Sequence, residues 1–262
     1  MRTREVLDGL IADPASGVHR LTMIEFERED PGPTWWETTP YVERIADDEV
    51  PSGYAAGFRI DGTITVPDVH LAWLERELRR LGGSIVERRL DRLDDAPGDV
   101  VVNCTGLGSV TLAGDRSMTA IRGQVVHVRN PEVVVGLTDE EDDVEVTYLY
   151  PRPDGVVVLG GCRVPDDGPC RGGSAAEPAE DQDLTRRVLA DVAVLEPKLR
   201  GAVVERVRIG WRPGRPQVRV EAERLDDGRV VVHDYGHGGC GYLLSWGCAE
   251  AVARLVAAID VV

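Results

Sequence analysis

Residues 229–241 are Arg-Val-Val-Val-His-Asp-Tyr-Gly-His-Gly-Gly-Cys-Gly, an apolar run that enters a turn made mostly of glycine. Consecutive β-branched residues favour a strand, and the pattern at about 244–259 predicts a helix. Glycines let a backbone approach a ligand, and a helix start offers unpaired N–H groups at the positive end of its dipole. The stretch therefore predicts a site for an anion or an electron-rich ring, with His237 as a candidate base. A tight turn with a packing histidine is the structural alternative.

Elsewhere the chain alternates between helical and strand patterns, which predicts a mixed α/β protein. The predicted helices cover about residues 3–12, 67–81 and 181–195. The predicted strands cover about residues 20–26, 84–90, 100–102, 123–128, 148–150, 155–159 and 203–209. The strand at 100–102 breaks into Asn-Cys-Thr-Gly-Leu-Gly, as a parallel strand does where it presents backbone to a ligand. The acidic run at 139–143 predicts a solvated loop.

Charge and composition exclude several classes of function. The 262 residues carry 30 Lys and Arg against 46 Asp and Glu, a formal net charge of -16, which repels the phosphate backbone of nucleic acids. No apolar run approaches the roughly 18 residues that span a bilayer, so we expect no membrane partner. The 5 cysteines form no C-x-x-C pair, which predicts a reducing, cytoplasmic compartment.

A second candidate site lies at residues 210–216, Gly-Trp-Arg-Pro-Gly-Arg-Pro. The two prolines are expected to prevent regular structure on either side and so to hold the guanidinium of Arg212 still. Arginine presents planar donors that match a carboxylate bidentately, which makes Arg212 a candidate substrate anchor. The alternative is that Arg212 and Arg215 are both exposed surface residues.

The stretch Tyr148-Leu149-Tyr150 predicts a strand that directs one hydroxyl into a cavity and the other away, with aromatic core as the alternative. The Thr105 hydroxyl and the glycines beside it are candidates for a cofactor contact. The H-E-x-x-H, P-loop, zinc-ligand and G-x-S-x-G spacings are absent from the sequence. We therefore expect no metal site and no ordinary hydrolytic chemistry.

Taken in order, these stretches resemble the D-amino-acid oxidase family of flavoenzymes. The similarity extends from about Trp35 to the last helix, and its two C-terminal motifs are specific. It is carried by residues 102–106, 122–124, 148–151, 159–161, 210–219, 233–241 and 246–247.

The resemblance implies that a D-amino acid loses a hydride to FAD, giving a 2-oxo acid, ammonia and hydrogen peroxide. Arg212 would bind the substrate carboxylate, Tyr148 would donate its hydroxyl to the same group, and Gly239 would also contact substrate. The expected partners are a small D-amino acid and oxygen, with a homodimer left open. FAD would be held by Thr105, Gly236, His237, Gly238, Gly239, Cys240, Gly241, Tyr242 and Leu243.

Two departures from the family pattern qualify this expectation. The family begins with a strand, a G-x-G-x-x-G turn and a helix that hold the FAD pyrophosphate, and none of this precedes Met1. We expect a truncated start, with a non-catalytic binding protein that has lost FAD as the alternative. A second active-site tyrosine of many members would fall at Val144, which bears on the substrate contacts there. A glycine or secondary-amine oxidase, which shares the fold, is a further alternative.

The expected architecture is therefore α/β and consists of two interleaved parts. An incomplete FAD-binding domain with a parallel sheet would comprise residues 66–117 and 217–262. A substrate domain with a mixed or antiparallel sheet would comprise residues 1–65 and 118–216.

Overall fold

The computed structural model describes residues 2–140, 146–161, 164–165, 179–225 and 228–259. Within these ranges the helices are α1 (Arg2–Leu10), α2 (Pro67–Arg80), α3 (Ser109–Leu112), α4 (Gln182–Leu195) and α5 (Gly241–Ala257). The strands are β1 (Val18–Glu27), β2 (Val42–Arg44), β3 (Ala56–Thr65), β4 (Val100–Asn103), β5 (Thr119–Arg129), β6 (Gly136–Glu140), β7 (Val146–Pro151), β8 (Val156–Gly160), β9 (Val164–Pro165), β10 (Val204–Arg224) and β11 (Val230–His237). The mixed α/β fold predicted from the sequence is confirmed.

The described strands form one 11-stranded mixed sheet in the order β2-β3-β1-β6-β7-β8-β5-β10-β11-β4, with β9 beside β5. Most neighbours are antiparallel, but β11 and β4 run parallel, from Val230 opposite Val100 to His233 opposite Asn103. Because parallel strands end at the same edge, the turns after β4 and β11 lie next to each other.

One face of the sheet is closed by α4, whose apolar side packs on the middle strands. Val188 and Val192 of α4 are 4% and 0% exposed, and they share a cluster with Val126 of β5, Leu149 of β7 and Leu159 of β8, all 0% exposed. This cluster is the main hydrophobic core. The opposite face of the same strands carries the polar residues described below.

Strand β10 runs straight through both prolines, so the prediction that they prevent regular structure was wrong. Gly214 of β10 lies opposite His237 of β11, and the next paired residue of β10 is Arg219, opposite Tyr235. Residues 215–218 therefore form a bulge. Pro216 lies in that bulge, where a strand tolerates a residue that has no N–H to donate.

Two other local predictions were wrong. No strand forms at 84–90, where Ile85 and Val86 are 54% and 77% exposed because no neighbouring strand pairs with them there. Asp139 is not in a solvated loop: it belongs to β6, is 8% exposed, and accepts hydrogen bonds from Arg28 at 2.7 Å and Tyr54 at 2.6 Å. Residues 141–143 and Val144 lie outside the described residues.

Cys104, Cys240 and Cys248 are free thiols, and Cys162 and Cys170 lie outside the described residues. None of the helices in the described ranges is both long and apolar enough to cross a membrane. The strands assigned to the two expected parts are neighbours in a single sheet, and the division of the chain into those parts stays a prediction.

Candidate active site

Arg212 is held by its position on β10, not by the prolines that follow it. It lies beside β5, where its guanidinium covers Gly123: a Cβ added to Gly123 would come within 2.6 Å of Arg212 Cζ. Its Nη1 donates to the carbonyl oxygen of Arg122 at 3.4 Å, and the side chain is half-buried. A glycine on the neighbouring strand therefore makes room for the guanidinium on the sheet.

Tyr148 on β7 resembles Arg212 in that its side chain covers a glycine of the neighbouring strand. It lies opposite Gly160 of β8, and a Cβ added there would come within 2.2 Å of the Tyr148 hydroxyl oxygen and ring. Tyr150 lies on the same face, with its ring stacked on that of Tyr148 at 4.9 Å, while Leu149 points into the core. The expectation that the two hydroxyls point in opposite directions was wrong, because residues two apart in a strand share a face.

The strand registers place Tyr148 and Arg212 on one face of the sheet. Gly160 of β8 lies opposite both Tyr148 and Val125, and Gly123 of β5 lies opposite Gly210 of β10. Because residues that oppose each other share a face, Gly123, Gly160 and Gly210 form a glycine floor between the two functional side chains. Tyr148 covers Gly160 of β8, and Arg212 covers Gly123 of β5. Because β8 and β5 are adjacent strands, the two side chains approach each other above them. Arg212 gives this face of the sheet a cation that can pair with an anionic group.

The glycine-rich turn connects the end of β11 to α5. Gly236 and Gly238 have φ of 88° and 54°, a region that L side chains rarely adopt. A Cβ added to Gly239 would lie 3.8 Å from Arg212 Cδ, so the turn lies beside the arginine. The structure thus brings together Arg212 and the turn, and their roles stay a prediction. The glycines at 236, 238 and 241 also have the G-x-G-x-x-G spacing, after a strand and opening a helix, a signal that the sequence reasoning missed.

The turn after β4 reaches the same place. A Cβ added to Gly106 would lie 3.6 Å from Pro213, the residue after Arg212. The Thr105 hydroxyl donates to Asn103 Oδ1 at 2.7 Å and shares a hydrogen bond of 2.9 Å with Ser109. Three segments therefore meet at this edge of the sheet, namely residues 105–106, 212–213 and 238–241, and the Thr105 hydroxyl fixes the first of them.

Tyr242 and Leu243 lie in the first turn of α5, and Tyr242 faces α2. Tyr242, with His70, Leu74 and Trp246, lines an apolar cavity of about 390 Å³ between the two helices. Leu243 is 70% exposed. The structure places both residues next to the turn, and their contact with a cofactor stays a prediction.

His237 makes its nearest described polar contact with Asp234, whose Oδ1 lies 3.2 Å from His237 Nε2. Burial raises the pKa of Asp234, and the neighbouring histidine only partly opposes this effect. Burial, followed by the charge of Asp234, raises the pKa of Cys104 and of Cys248. The contact favours the reading of His237 as a packing residue over that of a base.

Arg215 is not a surface arginine, since it donates to Asp115 Oδ2 at 2.9 Å and its side chain is 24% exposed. Tyr235, 1% exposed, donates to the same carboxylate at 2.9 Å, and Ser117 also donates to it. Burial raises the pKa of Asp115, but the bonds from Ser117, Tyr235 and Arg215 outweigh it and hold that pKa well below its usual range. This network fixes β10 and β11 behind the turn. The sequence carries no signal for it, because its members are about 100 residues apart.

A second buried pair joins the parallel strands. Asn103 and His233 are each 1% exposed, and Asn103 Nδ2 donates to His233 Nδ1 at 3.1 Å, which places the imidazole proton on Nε2, 3.2 Å from Glu223. Burial, then the charge of Arg219, lowers the pKa of His233. A neutral histidine therefore holds the ends of β4 and β11 together below the two turns.

Comparisons with known proteins agree with this geometry. Residues 11–255 match the family model described as DAO, FAD dependent oxidoreductase. The chain is 42% identical over 261 residues to a D-amino-acid oxidase of Rubrobacter xylanophilus, covering 98% of this chain and 77% of that protein. It is 36% identical over 259 residues to a D-amino-acid oxidase of Dictyostelium discoideum, covering 95% and 71%. A glycine oxidase from Geobacillus kaustophilus has the same fold, with a TM-score of 0.76 at 17% identity over 98% of this chain and 76% of that one.

Proposed function

Because the chain belongs to the DAO family of FAD-dependent oxidoreductases, we propose that it catalyses the oxidative deamination of D-amino acids. A D-amino acid, oxygen and water would give a 2-oxo acid, ammonia and hydrogen peroxide. The observation that carries the proposal is the placement of Arg212 and Tyr148 over one glycine floor, with the glycine-rich turn beside Arg212.

The residues at this edge fit FAD. Two glycines of the turn adopt positive φ, and Gly239 has no side chain between its backbone and Arg212, so the backbone of the turn lies close to the arginine. The first turn of α5 adds unpaired N–H groups at the positive end of its dipole. Residues 236–241 would hold the flavin, with the 105–106 turn on the other side. When bound, FAD supplies the oxidant, accepting a hydride from the substrate α-carbon and passing the electrons to oxygen.

The chain's own residues bind and orient the substrate. Arg212 would pair with the α-carboxylate through parallel N–H bonds, and Tyr148 would donate its hydroxyl to the same group. With the carboxylate fixed, the α-carbon lies at one position beside Gly239. The preorganised amides of residues 238–241 would stabilise the negative charge that passes to the flavin with the hydride. The amine lone pair can form the imine as the hydride leaves, so the step needs no protein base.

Two experiments test the proposal. The chain is expressed with added FAD, freed of unbound cofactor and examined by visible absorption, and hydrogen peroxide formation is measured with D-alanine, L-alanine, glycine and sarcosine. We expect bound flavin and turnover of D-alanine. Colourless protein would contradict the proposal and support the alternative that the chain is a non-catalytic binding protein that has lost FAD. Turnover confined to glycine or sarcosine would support an oxidase of those amines.

Replacing the anchor tests its role directly. Arg212→Ala should lower kcat/KM for D-alanine by roughly 100-fold or more, because the carboxylate loses its charged hydrogen bonds. The matched control is Arg186→Ala on the exposed side of α4, where the side chain is 67% exposed, and it should leave the kinetics unchanged. Wild-type kcat/KM in an Arg212→Ala protein that still binds flavin would exclude the carboxylate role.

A further inference from the structure

A cluster of three metal-ligating groups lies behind the glycine-rich turn. Asp234 is in β11, His237 ends that strand, and Cys248 is in α5. One ligand atom from each, a carboxylate oxygen, an imidazole nitrogen and a thiol sulfur, lies within 4.8 Å of the other two. All three side chains are half-buried. A strand and a helix that are joined by the turn therefore direct three donors to one point.

Two of these donor atoms are poorly satisfied by the protein. Asp234 Oδ1 and His237 Nε2 are buried atoms that make no aligned hydrogen bond in the described part of the chain. They nevertheless lie 3.2 Å apart. Two ligands of a tetrahedral zinc ion, with metal bonds of about 2.0–2.2 Å, lie about 3.3–3.6 Å apart. The 3.2 Å between the oxygen and the nitrogen is therefore close to the separation that a shared metal ion needs.

We propose that Asp234, His237 and Cys248 bind a divalent transition metal of the zinc class, with three protein ligands and one open position. A mixed oxygen, nitrogen and sulfur set selects zinc or cobalt over magnesium or calcium, which prefer oxygen alone. The sequence motifs did not predict this site, because its ligands are separated by 3 and 11 residues across a strand, a turn and a helix.

A metal ion at this site would bind side chains of both β11 and α5. It would therefore connect the strand before the turn at residues 238–241 to the helix after it. The ion would use the His237 imidazole and leave the backbone of the turn facing Arg212. It would also bind the Cys248 sulfur as a thiolate, which would protect that cysteine from alkylation. The site thus lies beside the flavin site of the proposed function and does not depend on it.

Cobalt titration of the purified protein tests the site. Tetrahedral Co²⁺ absorbs in the red, beyond the absorption of oxidised flavin, so the protein can be used with or without FAD. We expect one equivalent of Co²⁺ to give a red band and a sulfur-to-cobalt charge-transfer band, both removed by Zn²⁺. Absence of the red band would overturn the proposal, whatever the flavin content or the oxidase activity.

Ligand variants identify the residues that bind the metal. Cys248→Ser should remove the charge-transfer band, and Asp234→Asn should weaken Co²⁺ binding by at least about tenfold, since even changes around a metal site cost roughly 10–100-fold. The matched control is Cys240→Ser, a nearby free cysteine outside the cluster, which should keep both bands. Circular dichroism would verify that each variant folds. Bands that survive Cys248→Ser would place the metal elsewhere and overturn the proposal.

Discussion

At the scale of single residues, a glycine on one strand sets the position of a functional side chain on the next. Gly123→Ala would place a methyl carbon 2.6 Å from the Arg212 guanidinium, the far end of a flexible side chain. The protein should fold, but the guanidinium must move from the glycine floor. We expect kcat/KM for D-alanine to fall about 10–100-fold, mainly through KM, because a displaced anchor costs that much.

Steady-state kinetics would measure the effect of Gly123→Ala, and Gly9→Ala is the matched control. Gly9 lies in α1, where an added Cβ meets nothing within 4 Å, and alanine favours a helix. That variant should retain wild-type kinetics. An unchanged KM in Gly123→Ala would show that the guanidinium does not need its present position.

Asp115 should contribute to the pH dependence of stability. The pKa of Asp115 in the folded protein lies below the ordinary value of 3.8. The stability that its carboxylate contributes is therefore fully present above pH 3.8 and is lost as the pH falls. Asp115→Asn should therefore lower the free energy of unfolding by about 1–3 kcal/mol at pH 7. Because the variant lacks the carboxylate, it should lose less stability than the wild type between about pH 5 and pH 3.

Urea unfolding across that range of pH would measure both effects of the Asp115 change. Asp183→Asn, at a side chain that is 88% exposed, should change stability by less than about 0.5 kcal/mol at every pH. Parallel pH curves for wild type and Asp115→Asn would show that the buried carboxylate does not set the acid limit.

At the scale of elements, α4 stabilises the fold through one face only. Val192 is 0% exposed and Val194 on the same helix is 82% exposed. Val192→Ala should lower the free energy of unfolding by about 2 kcal/mol, because it removes buried methyl groups and leaves a cavity. Val194→Ala, the same substitution on the outer face, should change it by less than about 0.5 kcal/mol. Equal effects, measured by chemical denaturation, would contradict the packing of α4 on the sheet.

The elements also show how far the sequence alone predicts this structure. Apolar periodicity predicted four of the five described helices and seven of the eleven described strands, since their patterns are local, and it missed α3, β2, β3, β6 and β9. It failed at 84–90, which has a strand-like pattern but no partner strand. The expectation that prolines prevent regular structure failed at Pro213, which stays in register with Ala120 of β5, and at Pro216, which a bulge accommodates. Strand formation depends on neighbours that are distant in the chain, and no local pattern reports them.

The candidate site was predicted unevenly for the same reason. Arg212, Tyr148 and the turn at 236–241 lie in recognisable motifs, so the resemblance to a family identified them. The glycine at 123 and the pairing of Asp115 with Arg215 are visible only once the strands are in register. Their effect depends on contact across the sheet and not on their place in the sequence.

At the scale of the whole molecule, FAD should act on the folding equilibrium. A ligand present at 100 times its Kd stabilises the folded state by about 2.7 kcal/mol, which raises Tm by several degrees in a protein of this size. Thermal unfolding with and without FAD would measure the shift. Gly238→Ala, at a φ of 54° with nothing within 4 Å of the added Cβ, should reduce it. The same shift in both proteins would show that FAD does not depend on this turn.

A single strand, β10, joins the two ends of the candidate site. Its first part pairs with β5, which carries the glycine beneath Arg212, and its second part pairs with β11, which leads into the turn. Gly214 belongs to both pairings, since it lies opposite Thr119 of β5 and His237 of β11. The surface that carries Arg212 and the turn therefore cannot swing apart at the bulge of residues 215–218 without breaking strand pairing at Gly214. If the proposed reaction takes place here, its substrate would enter and its product would leave through movements of loops and side chains and not of the sheet.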